Sequence, residues 1–301
     1  MTADLDRALL GWPLVVSLIT TFGTAGFVLL SAGERVFDLR AAAASLLTLW
    51  RVVAAVVFLA SLLMFLNVTA DMGGVSWTSA VALVPEVLTE THAGHVFEWF
   101  LPIAFVLLLS AFVPLPQSVR TAMLFLLAGV LLFLQAMLTH AIDKGTLAVA
   151  VYFLHEVTSG LWFGALLALW MVARYGGPPD IWVESAARRV SKLAFWSVIG
   201  LVITGTYTAY KGLGFDMCRL LFSVYGRMLI IKVTVFFGVV AIGAYNRYRL
   251  VPAVGAAPSR RMLLRNVTIE SVLLIGVLGL AALLANTPPP HGAGGHATMA
   301  M

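Results

Sequence analysis

The sequence predicts an all-α fold: a polytopic membrane helix bundle of about eight transmembrane helices, with both termini outside. Three observations carry this expectation. Of the 301 residues, 61% are hydrophobic and only 11% charged, whereas a soluble domain carries about 25% charged residues. The apolar residues fall into runs of roughly 20, the length that crosses the hydrocarbon core of a bilayer. The basic residues alternate between crowded and sparse loops, which is the pattern membrane topology imposes. The net charge of +5 is therefore spread over short loops rather than gathered in one run. Membrane lipid, not nucleic acid, is the expected surrounding.

The first run, about 8–32, follows a start that sets Asp4 and Asp6 against Arg7 and lacks the basic region of a secretory signal. It is long enough to span, so it reads as a retained helix. Runs at about 41–66, 95–113, 119–140, 147–173, 189–211, 222–246 and 262–286 complete the eight. The second holds Arg51, the fifth His155 and Glu156, the seventh Arg227 and Lys232, and the eighth Glu270. The longest loop, 67–94, is too short for a soluble domain, so residues 1–286 read as one transmembrane helical domain. Residues 287–301, TPPPHGAGGHATMAM, form a tail that Pro and Gly keep extended and mobile. Gly160, Gly164 and Ala168 form a small-residue stripe, and Gly23 with Gly26 and Gly276 with Gly279 suggest further close helix approaches. The single cysteine, Cys218, rules out an intramolecular disulfide and a cysteine-rich metal site.

Charge fixes the expected orientation. With the N-terminus outside, outer segments hold four basic residues (Arg7, Lys144, Lys211, Arg219) and inner segments hold twelve. The excess places the first, third, fifth and seventh loops in the cytoplasm. All six histidines then fall on the outer side or in the outer half. His92 and His95 open the third helix, and His140 ends the fourth. His155 sits about 8 residues inside the fifth, roughly 12 Å deep. His291 and His296 lie on the tail.

Ionisable groups inside an apolar helix are costly and are functional candidates by default. His92, His95 and Glu98 follow i, i+3 spacing, so their side chains are neighbours. Imidazole with carboxylate suits several transition metals, and a thioether shifts preference towards Cu(I). Met137 stands three residues before His140 and shares its face. On the tail, His291, His296, Met299 and Met301 are further candidates for metal capture. His155 has the alternative of a plain interhelical hydrogen bond. Glu156, about 100° round the helix from it, is expected to pair with Lys232 at comparable depth. Arg51 and Glu270, matched in depth in the inner half, are expected to form a salt bridge, either as structural glue or as a proton or ion relay. Ser159 shares a face with His155, but no third orienting group or oxyanion hole can be assigned. No enzymatic activity is expected.

The run THAIDKGTLAVAVYFLHEVTSGLWFGALLALW resembles the paired-histidine region of the copper resistance D (CopD) family, in which a histidine ending one helix precedes a Leu-His helix. ARRVSKLAFWSVIGLVITGTYTAY, with Ser191 and Thr204-Gly205, is similar as well. So is the order Tyr225-Gly226-Arg227, Lys232, Asn246-Arg247, Pro252, Arg265, Glu270 and a final NTPPP. The resemblance spans about 137–290. It implies a multi-pass protein of the bacterial inner (cytoplasmic) membrane that moves or handles copper, as Cu(I) or Cu(II). It also implies a periplasmic CopC-type copper-binding protein as partner and His140 and His155 as the copper-related histidines.

The expected function is copper transport or handling in copper homeostasis and resistance. Outer His and Met ligands would collect copper and pass it to the intramembrane His155. Import follows from the outward-facing ligands, and no GxxxxGK[ST] loop for ATP is present. Two alternatives are a membrane electron carrier holding haem b between opposed histidines, and a copper-delivery chaperone for a membrane oxidase.

Overall fold

In a computed structural model, residues 2–31, 40–139, 141–175, 181–214 and 216–287 are described. Eight helices among them are long and apolar enough to cross a membrane. They are α1 (Thr2–Ser31), α2 (Arg40–Gly73), α3 (His92–Phe112), α4 (Gln117–Met137), α5 (Thr146–Tyr175), α6 (Ile181–Leu213), α7 (Val224–Tyr245) and α8 (Ala257–Ala285). The described residues contain no strand.

Local chemistry sets the ends. Thr91 caps α3 by accepting from the Gly94 amide at 2.9 Å, and Ser223 caps α7 by accepting from Gly226 at 2.9 Å. Both satisfy amides that the first turn leaves without intrahelical partners. Pro258 stands in the first turn of α8, where a missing N–H costs nothing. Gly145, at φ +93, makes the sharp turn into α5. The stretch expected as a long loop is mostly helical. α2 runs on to Gly73, past Asn67 and Asp71, and short helices at Trp77–Ala80 and Val84–Glu90 fill the rest. Arg7 of α1 holds this extension through a 2.5 Å contact with Asp71.

The core is built around α1, the most enclosed helix, which packs against α2, α4, α5 and α8. Its tightest crossing is with α5. A Cβ on Gly23 would collide with the backbone of Gly160 and Gly164, and one on Gly164 with the backbone of Gly23. Only glycine allows this approach, which maximises dispersion contact where lipid supplies no hydrophobic driving force. Gly276, by contrast, has nothing within 4 Å of its Cβ position, so it marks no close approach. Trp50 and Trp162 are buried, and the Trp50 indole donates to Thr24 at 2.9 Å. Side chains such as Trp196, Ile203 and Phe237 point outward, as a bundle immersed in lipid allows. α7 is the least enclosed helix and packs mainly on α8.

The alternating hairpins bring Gly73, His92, Met137, Thr146 and Val224 to one end of the bundle, the histidine end. Phe112, Tyr175, Tyr245 and Ala257 gather at the other, arginine-rich end.

Candidate metal site

At the histidine end the start of α3 lies against the end of α4. Gly94 lets the short helix Val84–Glu90 fold back on the first turn of α3, because a Cβ there would strike the Val87 carbonyl. The His92 Nε2–H donates to the Met137 carbonyl at 3.3 Å. The imidazole therefore keeps Nδ1 as its lone-pair nitrogen. His92, His95 and Glu98 lie on an exposed face of α3, and Met137 is half-buried. Thr139 closes α4 by donating to the Ala136 carbonyl at 2.8 Å. His140 and the tail ligands His291, His296, Met299 and Met301 lie outside the described residues.

His155 is half-buried in α5 and turned to α6. Its Nδ1 lies 2.8 Å from the Thr204 Oγ1. Thr204 spends its single hydroxyl proton on the Gly200 carbonyl at 2.6 Å. In that arrangement Oγ1 accepts from His155, so Nδ1 carries the ring proton and Nε2 the free lone pair. Gly205 lies against the same ring, where a Cβ would stand 3.5 Å from its Cε1, an ordinary packing distance. Thr204 thus orients the imidazole through Nδ1, the kind of hydrogen bond that fixes the tautomer of metal-binding histidines. Ser159 is committed elsewhere, donating to the His155 carbonyl at 2.7 Å.

The expected charge pairs are rearranged. Lys232 of α7 comes within electrostatic range of His155 rather than forming an ion pair with Glu156. Glu156, 5% exposed, has its Oε2 buried without a hydrogen-bond partner among the described residues. Tyr152, one turn before it, is its neighbour, with Tyr225 of α7 also in range. The 100° step between consecutive helical residues explains the split, as His155 faces α6 and Glu156 turns inward.

Arg51 and Glu270 do not form the expected salt bridge. The Arg51 Nε donates to the Ala111 carbonyl at 3.3 Å, and its guanidinium lies 5.6 Å from the Phe112 ring centre. A cation at the end of α3 answers the open carbonyls and the negative pole found there. Glu270 instead accepts from the Asn246 side-chain amide, and Asn246 accepts from Asn266 at 2.8 Å. α2 packs on α1, α3 and α5, whereas α8 packs on α7, α1 and α5, so matching depth does not make the two side chains neighbours.

Among the described residues, no three of His, Cys, Asp and Glu gather in a metal-holding group. His155 belongs to α5 and the His92 face to α3. The roles of Thr204, Asn246 and Asn266 were not assigned from sequence. The signal that could have found the two asparagines is their polarity within apolar helices.

Fold and site together define a polytopic helical membrane protein that presents oriented imidazoles at one end of its bundle. The family described as copper resistance protein D matches residues 184–284, and the copper resistance protein D-like N-terminal domain matches residues 4–149. The chain belongs to the copper resistance protein D family. It is 28% identical to inner membrane protein YebZ of Escherichia coli (strain K12) over 205 residues, 66% of this chain and 69% of that protein. It is 28% identical to copper resistance protein D of Pseudomonas syringae pv. tomato over 245 residues, 75% of this chain and 78% of that protein. Copper transport protein CutJ of Bacillus subtilis (strain 168) is 26% identical over 235 residues, 73% of this chain and 42% of CutJ. No solved structure matches the chain.

Proposed function

We propose that this protein carries copper into or across the bacterial inner membrane, with the histidine end facing outward and both termini outside. The observation that carries the proposal is the His155–Thr204 contact at 2.8 Å, which leaves Nε2 as a free ligand inside a spanning helix. Copper is cargo here. His92, His95, Met137 and His140 receive it at the rim, and His155 takes it deeper. The family and the names of two relatives, copper resistance protein D and copper transport protein CutJ, support a copper-related role. The name of YebZ supports the inner membrane. The rim is also the surface that a periplasmic CopC-type donor would meet. No chemical conversion is assigned to the chain.

The haem reading lacks comparable support. A b-type haem needs a second axial histidine opposite His155; of the two expected partners, His95 stands on the exposed face of α3 and His140 lies outside the described residues. The test is metal content and colour of the purified protein against His140→Ala/His155→Ala. Copper retained by wild type and reduced in the double variant, without a Soret band in either, is the expected outcome. Equal copper in both would remove the site.

A further inference from the structure

At the arginine-rich end, a cavity of ≈ 260 Å³ lies between α5, α6, α7 and α8. Its walls are mostly apolar, with Glu270, Asn246, Arg247, Tyr248 and Ser191 as polar exceptions. Here α7 passes into a π-helical turn, Asn246–Leu250, a distortion that recurs at functional sites. The turn sends neighbouring side chains in different directions. Arg247 reaches α6 and donates to the Ser191 carbonyl at 2.7 Å and its hydroxyl at 3.1 Å. Asn246 turns to α8 and donates to Glu270 Oε1.

Glu270 is 2% exposed, and no cation among the described residues pairs with it. Its second oxygen, Oε2, receives no donor from the described residues. It lies beside Gly243, where a Cβ would stand 3.4 Å away, and both residues line the cavity. Glu270 therefore has one oxygen held by an amide chain running back to Asn266 and one oxygen open to the cavity.

The groups facing Glu270 decide what that oxygen takes. α5 and α6 contribute only uncharged side chains to the cavity wall, and α7 contributes Arg247 and Tyr248. α1 also packs on α8, and its one charged side chain among those described, Arg7, is bound to Asp71 at the opposite end. A metal cation would meet a guanidinium and a single free carboxylate oxygen, whereas hard cations need several oxygen ligands. A proton needs one lone pair. The cavity is roomy enough for water, which occupies about 30 Å³ per molecule.

We propose that Glu270 is a proton-exchange site of the inner half of the bundle, and that its loading and release are coupled to copper passage. A hydronium in the cavity gives its proton to Oε2 and leaves as water; the reverse step returns the proton to water. The coupling rests on the transport reading above, while the site itself stands on the cavity and the amide chain.

Two measurements decide it. Wild-type protein in native membranes is treated with an apolar carbodiimide, which reacts with protonated carboxyls, and Glu270 is followed by mass spectrometry. Labelling that falls about tenfold for each pH unit above its midpoint is expected. No labelling of Glu270 at any pH overturns the site. In proteoliposomes containing an internal pH dye, Cu(I) added outside is expected to move protons through wild type. Glu270→Gln, which keeps the size and the Asn246 bond, is expected to lose that proton movement while binding copper as wild type does. Copper-linked proton movement undiminished in Glu270→Gln overturns the coupling. A wild-type protein that moves no copper defeats the transport reading and the coupling with it, and the labelling experiment still decides whether Glu270 exchanges protons.

Discussion

Thr204 and His155 meet across the α5–α6 interface at 2.8 Å, and the direction of their hydrogen bond selects the nitrogen left for a ligand. Because Thr204 has already given its proton to Gly200, it accepts from His155. An outer-shell partner of this kind is typically worth 10- to 100-fold in metal affinity. Thr204→Val should therefore weaken copper binding about 10- to 100-fold, while Thr204→Ser, which keeps the acceptor, should stay near wild type. A Cu(I) competition titration against a chromophoric chelator measures both. Equal affinity in Thr204→Val and wild type would separate His155 from the copper site.

The backbone contact between α1 and α5 leads to a second prediction. Gly164→Leu has no flexible neighbour to displace, because the colliding atoms belong to the Gly23 backbone. Overpacking of this kind costs about 1–3 kcal/mol or more, so the variant should lose thermal stability in detergent or fail to give a monodisperse protein. Gly276→Ala, in open space, should match wild type. Similar melting of the two variants would contradict the proposed crossing.

Arg51 gives a third. Its links to the Ala111 carbonyl and the Phe112 ring are each worth about 0.5–1 kcal/mol. Arg51→Ala should destabilise modestly. Combined with Glu270→Gln, its effect should be additive to within about 0.5 kcal/mol, as expected of residues that share no partner. A larger coupling energy in the double-mutant cycle would mean that the two do interact.

The tail gives a fourth. Deleting residues 288–301 removes His291, His296, Met299 and Met301 and leaves α8 whole. Copper acquisition at low supply should fall while the melting temperature stays unchanged. Uptake equal to that of the full chain across copper concentrations would deny the tail a capture role.

Much of the architecture is legible without coordinates. All eight spans overlap the expected runs, and the differences lie at their ends, where caps and turns act. α8 begins at Ala257 because Pro258 favours a helix start. α2 continues to Gly73 because Asp71 has Arg7 to hold it. The Gly160–Gly164 stripe was legible as a packing face, although its partner, Gly23 of α1, was identified only in the folded chain.

The candidate site was legible in kind but not in its contacts. His155 and Glu270 stand out because each is polar inside an apolar run. What each one touches does not follow from that. Lys232 was matched to Glu156 by depth and lies instead near His155. Arg51 was matched to Glu270 by depth and is turned to α3.

The physical reason is that position along a helix and position around it have different origins. Depth follows from counting residues at 1.5 Å each, and span, end and charge bias are local properties of the chain. The sequence alone therefore determined the eight crossings, the histidine end and the presence of ionisable groups within the bundle. The direction in which a side chain points, and the helix it meets, depend on how neighbouring helices interlock. The contact of Gly23 with Gly164, the turn of His155 towards Thr204 and the capture of Glu270 by Asn246 were decided only by the tertiary structure.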